Sequence, residues 1–80
     1  MPKPLLRPPP SAEPVSELTD SGLYVRFGAS RRVARTLICQ EWPLLAVDLD
    51  ADGRAIGLEA IPAPTLSLRK LARRAGILLT

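Results

Sequence analysis

The chain has 80 residues, 46% hydrophobic and 24% charged, with a formal net charge of +3; this balance fits one small globular domain rather than a disordered chain. It has no histidine and a single cysteine, which excludes Ser-His-Asp and Cys-His catalysis, imidazole-ligated zinc and an intrachain disulfide. Its aromatic residues are Tyr24, Phe27 and Trp42, too few for a base-stacking platform.

The first fourteen residues hold Pro2, Pro4, Pro8, Pro9, Pro10 and Pro14. Proline removes backbone donors and blocks helix and central strand, so residues 1–16 are expected to form a disordered, proline-rich tail. The folded domain is then expected over residues 17–80. Lys3 and Arg7 precede no apolar run of signal-peptide length, and Leu44 to Val47 is far too short to span a bilayer. With a single cysteine, the expectation is a cytoplasmic protein without a membrane partner. About 60 residues bury little surface alone, so a homodimer is a natural source of further burial.

Leu23, Val25 and Phe27 alternate with Tyr24 and Arg26, the period of a half-buried strand. Residues 28–32 read as a turn, and residues 33–38 as a second strand. The inward phase of that strand stays open: Val33 and Leu37 could face the core, or Ala34, Thr36 and Ile38. After Pro43, Leu45, Val47 and Leu49 alternate with Ala46, Asp48 and Asp50. Beyond Asp52-Gly53, Ile56, Leu58 and Ala60 alternate with Ala55, Gly57 and Glu59. Asp-Gly between two alternating runs signals a tight hairpin turn. A two-residue loop would set Leu49 against Ile56, Val47 against Leu58 and Leu45 against Ala60, all on one apolar face. The other face would collect Asp48, Asp50 and Glu59.

Leu68, Leu71, Ala72 and Ala75 follow helical spacing, with Arg69, Lys70, Arg73 and Arg74 on the other side. Thr65 or Ser67 suits the N-cap, and Gly76 followed by Ile77 suits a Schellman stop. The expected fold is α+β: a four-stranded antiparallel sheet, a meander of two hairpins, with this helix packed on one face.

Asp48 to Gly53, followed after five residues by Glu59, satisfies the calcium-loop pattern letter for letter. An EF-hand needs a helix on each side. Here β-patterned residues and Pro43 precede the loop and Pro62 follows it, so the hairpin is the favoured reading and no metal is assigned. Calcium binding through Asp48–Glu59 stands as an alternative. Ser67 to Ile77 resembles the first helix and turn of a helix-turn-helix, but Leu78, Leu79 and Thr80 are too few for a recognition helix, so none is expected. Its cations Arg69, Lys70, Arg73 and Arg74 are the candidate binding residues, and duplex contact through them is a second alternative. Asp48 and Glu59 share a face without a predicted pocket, the serines lack a base, and Cys39 reads as a small hydrophobe. No catalytic residue and no cofactor is assigned.

Asp20, Leu23-Tyr24-Val25, Val47 to Gly53, and Ile56-Gly57-Leu58-Glu59 together resemble the small bacterial domain-of-unknown-function family DUF2283. The likeness covers residues 18–61 and omits the proline stretch and the basic helix. Ser21-Gly22 departs from the family's usual residues before Leu-Tyr. The resemblance implies a compact sheet protein of unassigned activity. Some members lie beside toxins, which implies a non-enzymatic, antitoxin-like interaction protein.

Overall fold

The computed structural model describes residues 5–10, 13–28 and 32–79. Residues 1–4 and 11–12 of the expected tail, and 29–31 of the expected turn with Ser30 and Arg31, lie outside the described residues. Among the described residues five strands and one helix follow in order: β1 Pro14–Leu18, β2 Leu23–Phe27, β3 Arg35–Gln40, β4 Leu44–Leu49, β5 Ala55–Ile61 and α1 Leu68–Ala75. The α+β class and the antiparallel sheet match the sequence reading, but the sheet has five strands rather than four. The extra strand starts at Pro14, inside the stretch expected as tail. Its five residues are all exposed, so burial leaves no alternating apolar signature in its sequence.

The strand order is β1-β2-β5-β4-β3, antiparallel throughout. This corrects the meander of two hairpins. The strand Leu23–Phe27 pairs with β5, not with β3. Strands β2 to β5 therefore form a Greek key, three hairpin-connected strands with a fourth beside the outer one. Two strands, β1 and β3, are left at the edges.

The β4–β5 hairpin keeps the expected pairs Val47–Leu58 and Leu45–Ala60, but Leu49 opposes Ala55 instead of Ile56. The loop is longer than two residues. Gly53 N–H donates to Asp50 O (3.0 Å), and Asp50 N–H donates to Arg54 O (3.1 Å). Ala51, Asp52 and Gly53 thus form a three-residue loop, with Gly53 left-handed at φ 81°. Such an odd loop alone would turn Leu45 and Val47 onto Glu59 and Gly57. A register shift after Asp48 restores the apolar pairing. Ile56 is buried but stands outside the core cluster, and Ala55 takes its expected place there.

The core lies between one sheet face and α1. Val25, Phe27, Leu45, Val47, Leu49 and Leu58 meet Leu71, Ala72, Ala75 and Ile77. Ser67 caps the helix by accepting from Lys70 N–H (3.3 Å). Gly76, at φ 78°, stops it, and Ile77 N–H closes the Schellman bond to Ala72 O (2.8 Å). Leu6 runs parallel beside Ile77, donating to Gly76 O and accepting from Leu78 N–H, both at 2.7 Å. Among the described residues no helix is long and apolar enough to cross a membrane.

Candidate interaction surface

The sheet face opposite the helix carries one polar cluster. Asp48 on β4 accepts from Tyr24 Oη through Oδ2 (2.8 Å) and from Thr36 Oγ1 through Oδ1 (2.7 Å). Three strands are tied across the sheet by one carboxylate. Tyr24 stands on β2, so its ring must pass over the intervening strand β5. Gly57, paired with Asp48 on one side and Arg26 on the other, makes room for it. A Cβ at Gly57 would fall on the Tyr24 hydroxyl and 2.7 Å from its Cζ. Burial, the hydrogen bond to Asp48 and the charge of Asp48 push the Tyr24 hydroxyl up to about 12 from an ordinary 10.0.

The acids of the calcium-like pattern therefore point to separate tasks. Asp48 binds two hydroxyls. Asp50, expected on the solvent face, is instead buried in the turn. There its Oδ1 accepts Asp52 N–H and Arg54 N–H, both at 2.9 Å. Asp52 is exposed in the loop, and Glu59 is exposed on β5 opposite Ala46 and Tyr24. Among the described residues no group of three or more His, Cys, Asp or Glu is placed to hold a metal ion. The sequence reading grouped Asp48, Asp50 and Glu59 by alternation. It missed Tyr24 and Thr36, although a glycine inside a strand signals close approach by a neighbour.

Exposed apolar side chains stand on both edge strands, Val15 and Leu18 on β1 and a second group at β3. Leu37 is 42% exposed and Ile38 53% exposed, and Trp42 stands out beyond the strand's end. Arg35 and Leu37 oppose Leu49 and Val47, so they share the helix side, while Thr36 and Ile38 share the open side with Asp48 and Ala46. This settles the phase left open by sequence: Leu37 turns toward the helix side, as Val33 and Leu37 inward would require. Edge position leaves Leu37 half uncovered. Between this edge and the helix end runs a groove of about 530 Å³, lined among others by Leu6, Leu37, Cys39, Arg35, Arg73 and Arg74 and by no acid. Cys39 packs partly against the core, and its thiol lies 3.7 Å from Ala75 O.

Of the expected binding residues, Arg73 and Arg74 border this groove, and Arg69 and Lys70 lie exposed on the first turn of α1. Helix α1 carries no acid in its first turn and both Arg73 and Arg74 in its last, where the helix dipole favours cations. A second cleft, about 720 Å³, lies between Pro8–Pro10, Phe27, Arg54 and Leu78–Leu79. No family model, no curated protein and no solved structure matches the chain.

Proposed function

We propose that this chain is a non-enzymatic binding module that receives an extended, acidic segment of a partner protein by strand addition along β3. One observation carries the reading. The outer edge of β3 has no strand partner among the described residues, yet it presents Leu37 and Ile38 beside three arginines. Soluble proteins blunt a free edge with short strands, prolines or inward charges, because an open edge templates pairing. A six-residue edge with two exposed aliphatic side chains suits a partner strand, whose backbone gives affinity and whose side chains give specificity. Arg35, Arg73 and Arg74 select for acids in that strand. The family resemblance makes a toxin the alternative donor of that strand, the one left if the chain proves monomeric. The lone Cys39 goes with a cytoplasmic setting.

Fluorescence anisotropy of a short labelled peptide alternating valine and glutamate tests this. The chain should bind it in the micromolar range, and Arg35→Glu should weaken binding roughly tenfold, about 1.4 kcal/mol. No binding at low salt, or binding indifferent to Arg35→Glu and to Ile38→Lys, overturns the reading.

The four cations on α1 favour a second reading, contact with duplex phosphates through Arg69, Lys70, Arg73 and Arg74. Duplex affinity that falls steeply with salt, and that Arg69→Ala and Lys70→Ala weaken without touching peptide binding, would support it.

A further inference from the structure

We propose that the acidic strand received by β3 is β1 of a second copy of this chain. The inference rests on the docking reading above and names its partner. The two free edges of the sheet are opposite in character. From residue 8 to residue 25 the chain holds Glu13, Glu17 and Asp20 and no base, and β1 lies within that stretch. From residue 26 to residue 40 it holds only basic charges, and β3 closes that stretch with Arg35. Both edges expose aliphatic side chains: Val15 is 62% and Leu18 75% exposed on β1, against Leu37 and Ile38 on β3.

The pleat sharpens the match. Val15 and Glu17 oppose Arg26 and Tyr24. Tyr24 reaches Asp48, so Val15 and Glu17 stand on the open face. Arg35 and Leu37 stand on the helix side. A second copy turned over, so that its open face continues the first copy's helix face, presents β1 antiparallel to β3. In that arrangement one register sets Glu17 beside Arg35, Ser16 beside Thr36 and Val15 beside Leu37. An opposite-charge pair, a hydroxyl pair and an aliphatic pair then coincide, each a favourable cross-strand neighbour. Like edges do not offer this. Two β3 strands would bring arginines together, and two β1 strands would bring acids together.

Because the two edges differ, the contact is head-to-tail and leaves one free edge at each end. Assembly is therefore open-ended unless the sheet twist closes it.

Sedimentation velocity from about 10 μM to about 1 mM tests the proposal. The full chain should grow past a dimer with concentration. Glu17→Arg and Arg35→Glu should each weaken self-association roughly tenfold. An equimolar mixture of the two variants should regain it, because each supplies an edge that complements the other. Both positions are exposed, and an unchanged melting curve verifies that each variant folds. A wild-type chain that stays monomeric, a Glu17→Arg chain that associates as wild type does, or a mixture that fails to recover overturns the proposal. If the chain is monomeric while the valine–glutamate peptide still binds Arg35–Gln40, the docking reading survives and only the self-association falls. If neither occurs, both fall.

Discussion

Gly57→Ala is the sharpest probe of the cross-sheet network. The new Cβ would land on the Tyr24 hydroxyl, with Cζ at 2.7 Å and Asp48 Oδ2 at 3.2 Å. The tyrosine must swing away, and its hydrogen bond to Asp48 is lost. A hydrogen bond to a charged group contributes about 1.5–3 kcal/mol, and the half-exposed setting of Tyr24 and Asp48 argues for the lower end. Replacing glycine by alanine returns about 0.4–1 kcal/mol through the unfolded chain. The net cost should be about 0.5–1 kcal/mol, and each kcal/mol lowers the melting temperature of a chain this size by about 4–8 °C. Tyr24→Phe removes the same bond without the clash. In urea denaturation the double variant should therefore lose about 1 kcal/mol less than the sum of the two single variants. A neutral Gly57→Ala, or costs that add within about 0.5 kcal/mol, would refute the coupling of Gly57, Tyr24 and Asp48.

The remaining predictions concern the same residues and their neighbours. Tyr24 is the chain's one tyrosine, so phenolate absorbance reports it alone. Its midpoint should lie at about 12 rather than the ordinary 10.0, and Asp48→Asn should lower it. Since the folded state holds the proton more tightly, this contribution to stability is complete below pH 10.0 and is lost as pH rises toward about 12; stability that rises over that window in alkaline denaturation contradicts it. Asp50→Ala removes the acceptor of two turn amides and should cost about 1–3 kcal/mol by urea denaturation, whereas an exposed solvating acid would cost nothing. Val47→Asp buries an unpaired charge at a fully enclosed position and should abolish the cooperative melt. Millimolar calcium should leave the melting temperature unchanged. A site with a dissociation constant of about 10 μM would add about 2.7 kcal/mol at 1 mM, and a shift abolished by Glu59→Gln would promote calcium to the first reading.

Periodicity reveals the elements that bury one face. Strand β2, the pair β4–β5 and helix α1 are legible because Val25, Val47, Leu58 and Leu71 recur at the spacing their burial demands. Strand β1 is not legible, since Pro14–Leu18 buries nothing and begins with a residue that usually marks the end of pairing. Strand order is also hidden. Leu23–Phe27 joins Ala55–Ile61 across more than thirty residues, and neither strand's pattern names its neighbour. The register shift beside Asp48 hides for a related reason: a two-residue loop, and a three-residue loop with a bulge, produce the same apolar pairs. At the candidate site, the alternating acids suggest a charged face or a calcium loop. Their roles in the fold come from partners far along the chain, Tyr24 and Thr36, and from a backbone turn that only the folded hairpin makes.

The docking of an extended acidic strand on β3 is tested most directly by amide chemical-shift mapping. The isotope-labelled chain would be titrated with the valine–glutamate peptide at a concentration where the chain is monomeric. The account predicts that amides of Arg35–Gln40 shift and become protected from exchange, with smaller shifts at Arg73 and Arg74 and none at Glu17. Shifts confined to the first turn of α1, or no shift at saturating peptide, would contradict it.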